Sequence, residues 1–98
     1  MAAYTIGETA ITATLTANVA DTVSLKLYGQ HLEIINLDLT SIIWIRWDGT
    51  AATVAGTDCV PVPANSSWIP PAHITIQNSL SLISNGTPQY CVSRIVNQ

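Results

Sequence analysis

The chain has 98 residues, a net charge of -3 and 9% charged side chains, against about 25% in an ordinary soluble domain. Its three cations, Lys26, Arg46 and Arg94, are scattered, which excludes a nucleic-acid role because phosphate neutralisation needs clustered Lys or Arg. No apolar run approaches the roughly 20 residues that span a bilayer. The first ten residues lack the features of a secretory signal, so we expect synthesis in the cytoplasm.

Hydroxyl and amide side chains take the place of ions on the expected surface. The hydrophobic share of 48% is ordinary, so the deficit of charge falls on the exposed positions. Burying a hydroxyl or an amide against a partner costs far less than burying an ion. This composition favours a protein that is packed against neighbouring protein.

Alternating side chains predict the first strands. Residues 9–17 alternate between two faces, which predicts a strand whose outer face carries Thr. One face consists of Thr9, Ile11, Ala13, Leu15 and Ala17, and the outer face of Ala10, Thr12, Thr14 and Thr16. Residues 18–21 are predicted to turn. Residues 23–28 alternate again as a second strand, and the apolar run at residues 32–37 predicts a third.

The central stretch predicts a strand with one buried face. Ile43, Ile45 and Trp47 alternate with Trp44 and Arg46, the period of two that is typical of a half-buried strand. Trp47 is therefore assigned to the core, and Trp44 and Arg46 to the opposite face.

A tight hairpin is predicted after this strand. Asp48 and Gly49 are the residue types that a two-residue hairpin turn requires, so residues 51–55 are expected to fold straight back as a strand. Pro61 and Pro63 then remove backbone donors, which assigns their segment to a sheet edge or a bulge.

The rest of the chain continues in short strands. A turn at residues 65–67 precedes a strand that Pro70 and Pro71 end. The remaining predicted strands are residues 68–69, 73–77, 80–83 and 90–96. About eight to ten short strands with no helical period predict an all-β domain over residues 1–98, a single antiparallel β-sandwich or jelly-roll-like barrel.

No motif for catalysis, metal or cofactor binding stands out. His31 and His73 lie in no metal-ligand or nucleophile pattern, and nothing in the spacing of the six carboxylates selects a catalytic pair. Cys59 and Cys91 are expected to be small buried apolar residues and not a disulfide, because two cysteines without a secretory signal give no disulfide framework. We therefore expect no enzyme activity and no cofactor.

Aromatic residues carry the candidate binding site. Trp44 and Arg46 share the face opposite the apolar alternation, and Trp68 lies in a segment flanked by prolines. Trp and Arg are frequent anchors of protein interfaces. The sequence therefore predicts that Trp44, Arg46 and Trp68 contribute to a partner-facing surface. The alternative is that a further layer of the same sandwich covers Trp44.

The segments WIRWDGTAATVAGTDCVPVP and SLISNGTPQYCVSRI, with the two prolines between them, resemble small β-sandwich virion proteins of tailed bacteriophages. The resemblance covers residues 41–95 and concerns the order of turns and strands. It implies a non-enzymatic structural part of the particle, either a head decoration (cement) protein bound to the major capsid protein or a tail or adaptor component. It also implies a homo-oligomer, commonly a trimer, located in the virion.

Two other functional classes remain open from the sequence. A carbohydrate-binding module would stack exposed Trp rings on sugars and fix hydroxyl groups with Asn, Asp and Gln. A small hydrolase ranks last, because its acid, base and nucleophile have no evident grouping.

Overall fold

A computed structural model describes residues 3–6, 10–25, 32–69 and 79–94 of the chain. These residues form nine β-strands and no helix. The strands are β1 (Ala3–Ile6), β2 (Ala10–Thr14), β3 (Asp21–Leu25), β4 (Leu32–Asn36), β5 (Ile43–Arg46), β6 (Val60–Val62), β7 (Ser67–Trp68), β8 (Ser79–Ile83) and β9 (Gln89–Arg94). No helix long and apolar enough to cross a membrane occurs in this part of the chain.

Eight of these strands pair as a nested ribbon. Strand β2 pairs with β9, β3 with β8, β4 with β7 and β5 with β6, each time antiparallel. Pairing of β4 with β9 and of β5 with β8 folds the ribbon into two sheets. Sheet A has the order β1-β3-β8-β5-β6, in which β1 runs parallel to β3, and sheet B has the order β2-β9-β4-β7. This is the jelly-roll arrangement, which confirms the predicted all-β sandwich.

The core lies between the two sheets, where their inward-facing rows meet. Ile43 and Ile45 of β5 have no exposed surface, and burial of each such side chain contributes about 1.5–3 kcal/mol. In β2, Thr12 and Thr14 are exposed and Ile11 is half-buried, which confirms the predicted outer face of Thr. The core cluster consists of Leu15, Val23, Ile34, Ile43, Ile45, Val62, Leu80, Leu82, Tyr90 and Val92.

The chain does not form the predicted hairpin after β5. Residues 51–55 form no strand, and β5 pairs instead with β6, across a loop of residues 47–59. Gly49 has a positive φ of 87°, but Asp48 does not. The expected two-residue turn needs a positive φ at both central residues. The hairpin prediction was therefore wrong in its turn and in its partner strand.

Side-chain bonding explains the shape of this loop. The Asp48 carboxylate accepts hydrogen bonds from the Arg46 guanidinium at 2.8 Å and from the Thr50 backbone N–H at 3.1 Å. The backbone N–H of Ala52 then donates to Ser81 Oγ at 2.8 Å, and Ala52 is only 3% exposed. The loop thus folds over the outer face of sheet A, because polar groups on that face satisfy its backbone.

The positions of proline and asparagine agree with the sequence. Strand β6, which contains Pro61, is an edge strand of sheet A, as predicted. Asn18 and Asn65 adopt φ values of 60° and 56° within the predicted turns. Asn tolerates this left-handed conformation better than most residues do.

Asp21 differs from its predicted place in a turn. It is the first residue of β3, it is 2% exposed, and its carboxylate accepts a hydrogen bond from the buried Tyr90 hydroxyl at 2.9 Å. Because Asp21 belongs to sheet A and Tyr90 to sheet B, this bond joins the sheets through the core. A buried carboxylate requires such a partner.

Asn36 makes a second polar connection between the sheets. Its side chain is 1% exposed, and Nδ2 donates to the carbonyl of Ser41 at 2.8 Å and to that of Val62 at 3.0 Å. Its Oδ1 accepts from the backbone N–H of Asp38 at 3.0 Å. Asn36 ends β4 in sheet B, while Val62 ends β6 in sheet A, so one amide fixes their relative position.

The two cysteines carry free thiols, but both are half-buried and not, as predicted, buried. Cys91 lies in β9 between the inward-facing Tyr90 and Val92 and so faces outward from sheet B, whereas Cys59 lies in the loop after β5. Several predictions fall outside the described residues: the end of the second strand at 26–28, both histidines, Pro70 and Pro71, the strand at 73–77, and residues 95–96.

Candidate functional site

Strand β5 places Trp44 and Arg46 on the outer face of sheet A. Both side chains are half-buried. Ile43, which precedes Trp44, and Ile45, which lies between Trp44 and Arg46, point into the core. Trp44 lies directly opposite Ile83 of β8 and Pro61 of β6. Directly opposed residues share a face of the sheet, so the structure groups Trp44 and Arg46 as predicted.

Arg46 is held by two carboxylates. Its Nε and Nη2 donate to the two carboxylate oxygens of Asp48, each at 2.8 Å, in a bidentate pair. Its Nη1 lies 3.7 Å from Asp58 Oδ2. One guanidinium and two carboxylates leave this cluster with a net negative charge. Arg46 is therefore a poor ligand for an anion, and its role is to shape the loop after β5.

Asp48 is expected to titrate in strong acid. The Arg46 guanidinium, followed by the Thr50 backbone N–H, lowers the pKa of Asp48 from 3.8 to about 2. Since the folded pKa is depressed, the contribution of this pair is complete above the ordinary pKa and is lost as the pH falls through about 2. Carboxyl carbon shifts followed by NMR should give this midpoint.

The Arg46→Ala variant is the matched comparison for this titration. Its Asp48 midpoint should rise toward 3.8 but stay below it, because the Thr50 N–H remains. An Asp48 midpoint near 3.8 in the unchanged protein would show that the bidentate pair does not form in solution.

Trp68 lies in β7 of sheet B and not on the outer face of sheet A with Trp44. It is directly opposite Ile34, which is fully buried in the core, so Trp68 also faces inward. Its ring stacks on that of Trp47 with centroids 5.2 Å apart and planes at 27°. Both rings pack against the core cluster. Trp47 packs against the core on the predicted face but is only half-buried, whereas Trp68 does not share the surface of Trp44 and Arg46.

An apolar strip runs along the outer side of the β5–β6 edge. We define it as Ile42, Trp44, Pro61 and Pro63. Ile42 is 40% exposed, Trp44 is half-buried, and both prolines are exposed. The period of two places Ile42 with Trp44 and places the prolines on either side of the inward-facing Val62. None of the four strip side chains is charged.

The loop before the strip, residues 37–41, is held by side-chain hydrogen bonds and exposes Leu39. Leu39 is 78% exposed there, the largest value among the exposed large hydrophobic side chains of the described residues. The Asp38 carboxylate accepts hydrogen bonds from the backbone N–H groups of Ser41 at 2.8 Å and Thr40 at 3.1 Å. These backbone donors lower the pKa of Asp38.

Two shallow depressions lie beside Arg46. One, of about 180 Å³, lies between the loop after β5 and sheet A and is lined by Thr22, Arg46, Gly49, Thr50, Ala51, Ser79 and Ser81. The other, of about 260 Å³, is lined by Arg46, Trp47, Asp48 and Asp58. Ligand pockets usually have volumes of about 300–1,000 Å³, so both depressions are smaller than a typical small-molecule pocket.

Sequence reasoning found the two anchors of the outer face but not the strip. Ile42 belongs to the same period as Trp44, and Pro61 and Pro63 are spaced by two, so the signal was present. It could not be used because the predicted hairpin gave β5 the wrong partner strand.

The described residues contain no group of three or more His, Cys, Asp or Glu side chains placed to hold a metal ion. Comparison of the chain with protein-family models, with curated proteins and with solved structures found no significant match. The resemblance to phage virion proteins therefore stays a prediction.

Proposed function

We propose that this chain is a non-enzymatic structural protein of a bacteriophage particle, namely a decoration protein that binds across major capsid protein subunits and stabilises the head. The observation that carries the proposal is the apolar strip of Ile42, Trp44, Pro61 and Pro63 on the outer face of sheet A. Such a strip, if covered by protein, supplies the central apolar contact of an interface.

The surroundings of the strip favour burial against protein. Arg46 is already paired with Asp48, so a partner need not neutralise it. The half-buried outward-facing side chains on β3 and β8 of sheet A, Thr22, Ser24 and Ser79, are hydroxyls. Desolvation of hydroxyl groups costs much less than desolvation of ions.

Rigidity of the strip also supports the proposal. Trp44 lies within a paired strand, and proline fixes the backbone at Pro61. A preformed surface loses little conformational entropy when it binds. In a particle, many copies with modest individual interfaces would add through multivalency.

The fold is consistent with this role by analogy. Jelly rolls recur in viral capsid proteins, although they also occur in lectins and enzymes. Fold alone does not determine function. The analogy therefore adds to the argument from the strip and does not replace it. On this proposal the protein is made in the host cytoplasm, joins the virion as a homo-oligomer and needs no cofactor.

Co-sedimentation with phage heads tests the proposal. Heads from a phage that encodes this chain, purified without it, should bind the added protein in many copies. Trp44→Ala should weaken this binding by about 30-fold, because truncation of an interface anchor commonly costs about 2 kcal/mol. The unchanged protein should also raise the temperature at which the heads rupture.

Ile69→Ala is the matched control for this measurement. Ile69 is 53% exposed but lies beyond β7 of sheet B, away from the strip, so its truncation should leave binding unchanged. Failure of the unchanged protein to bind such heads would refute the decoration role. Equal loss in both variants would refute the assignment of the strip.

Carbohydrate binding is the second candidate, supported by the depression beside Trp47. There an indole lies next to Arg46 and Asp48, whose bidentate pair fixes their orientation. The expected platform of Trp44 and Trp68 loses its basis, because these rings lie on different faces. Binding to a glycan array that is lost in Asp48→Ala would favour this candidate over the decoration role.

A further inference from the structure

Strand β2 is an edge of sheet B with one side unpaired among the described residues. It pairs with β9 on one side, and sheet B ends there. The sequence of β2, AITAT, contains no charge, proline or glycine. Natural proteins usually protect such an edge with a charged side chain, a proline or a bulge, because its free N–H and C=O groups attract another strand.

Two hydrogen bonds establish which backbone groups are free. Leu15 N donates to Pro88 O at 2.9 Å, so Leu15, and with it Ala13 and Ile11, turns its backbone groups toward β9. Leu37 N donates to Gln89 O at 2.9 Å, so Gln89 turns toward β4 and not toward the opposing β2 residue. Both bonds show that the backbone N–H and C=O groups of the even-numbered residues of β2 point away from β9, toward the open edge of the sheet.

The outward-pointing residues are Ala10, Thr12 and Thr14, and their arrangement is self-complementary. When two copies of β2 run antiparallel about a twofold axis at Thr12, Thr12 faces its own symmetry mate and Ala10 faces Thr14. Each copy then donates three N–H groups and accepts three in return. With the twofold axis at any other residue, fewer than three of these residues in each copy would be paired.

Side chains on both faces fit this pairing. On the outer face, Thr opposite Thr is a favourable cross-strand pair, and no like charges meet. On the inner face, Ile11 is only half-buried although it points inward, as expected where the sandwich ends at an open edge. A second copy would place its Ala13 opposite Ile11 and extend the core.

Of the three other described edges, β1 is one residue shorter than β2, and the remaining two are less suited to such pairing. Strand β6 contains Pro61, which offers no N–H, and β7 is two residues long. An isologous contact also requires a surface that complements itself, and β2 meets this condition.

From these observations we infer that the protein forms a twofold dimer by antiparallel pairing of β2 with β2 of a second copy, centred on Thr12. The two four-stranded B sheets then become one continuous sheet of eight strands. This inference does not rest on the proposed function. Particle binding is assigned to the outer face of sheet A and dimer formation to the edge of sheet B, so either can fail alone.

Disulfide trapping tests the register directly. Cys91 faces Thr12 within one copy, so Cys91 and Cys59 are first replaced by Ser to prevent other bridges. Thr12→Cys should then form a covalent dimer on mild oxidation, because paired Cα atoms lie about 5.5 Å apart. Thr14→Cys should not, because Thr14 lies four residues, about 13 Å, from its own mate.

Sedimentation equilibrium tests the dimer without any bridge. The unchanged protein should sediment at about twice the 10.5 kDa of one chain. Thr12→Lys should weaken the dimer by at least about tenfold, because like charges then face each other across the axis. Thr12→Val, which keeps the backbone pairing, should remain dimeric.

Circular dichroism should show the native fold in each variant. A monomeric unchanged protein, a trimer, or equal trapping of Thr12→Cys and Thr14→Cys would overturn the inference. Loss of the dimer in Thr12→Lys, together with unchanged dimer formation in Thr12→Val, would support it.

Discussion

Asn36→Asp is expected to lower the free energy of unfolding by about 3 kcal/mol or more at neutral pH, although it only replaces the side-chain amide by a carboxylate of nearly the same size. The amide Nδ2 donates to two carbonyl oxygens, those of Ser41 and Val62, at a site that is 1% exposed. A carboxylate there has no hydrogen to donate and repels both oxygens. Typical domains have about 5–15 kcal/mol of stability, so the loss would be visible in a single urea unfolding curve.

The pH dependence of this variant gives a second readout. Burial and the two facing carbonyls favour the protonated acid, so the pKa of the introduced carboxyl is raised in the folded state. A group with a raised folded pKa is least damaging below its unfolded pKa, and the stability is lost as the pH rises through the folded pKa. The deficit relative to the unchanged protein should therefore shrink as the solution is acidified.

Asn85→Asp is the matched control, because it makes the same chemical change at an exposed turn residue. Its unfolding midpoint should stay close to that of the unchanged protein at every pH. If Asn36→Asp were as stable as this control at neutral pH, Asn36 would not be the connection between the sheets.

Trp68→Ala is expected to cost about 3 kcal/mol of stability, the lower end of the range for aromatic truncation, because the ring is half-buried. The loss combines core contact with the stacking on Trp47. Near-ultraviolet circular dichroism should change as well, since two indoles 5.2 Å apart interact electronically. Urea unfolding followed by fluorescence gives the free energy.

Trp44→Ala is the informative comparison, because it removes the same side chain from the outer face. It should cost only about 1 kcal/mol, as many partly exposed substitutions do, and should leave the indole signal of Trp47 and Trp68 in place. A larger loss of stability from Trp44→Ala than from Trp68→Ala would reverse the assignment of inner and outer faces.

The alternation of side chains predicted the strands because a strand exposes its two faces in turn. In β5 the prediction of buried Ile43 and Ile45 with outward Trp44 and Arg46 was confirmed, and in β2 the outer Thr residues were confirmed. The prolines of β6 predicted an edge, since proline lacks the donor that a central strand needs. These features depend on single residues and their nearest neighbours along the chain.

Pairing partners were not predictable in the same way. Asp48 and Gly49 favour a tight turn in isolation, but bonding of Asp48 to Arg46 and Thr50 opened a longer loop. Trp68 was assigned to the surface on the basis of its neighbouring prolines, yet its register with Ile34 turns it inward. Such outcomes depend on residues far apart in sequence.

By itself the sequence determined the class of the protein: an all-β sandwich with a surface poor in charge, because local alternation and composition carry that information. Tertiary structure alone decided which strands became neighbours. It placed Asn36 and Asp21 at the junction of the sheets, and it assembled the apolar strip and the open β2 edge. The physical reason is that hydrogen-bond pairing between distant strands fixes register, and register decides which side chains meet.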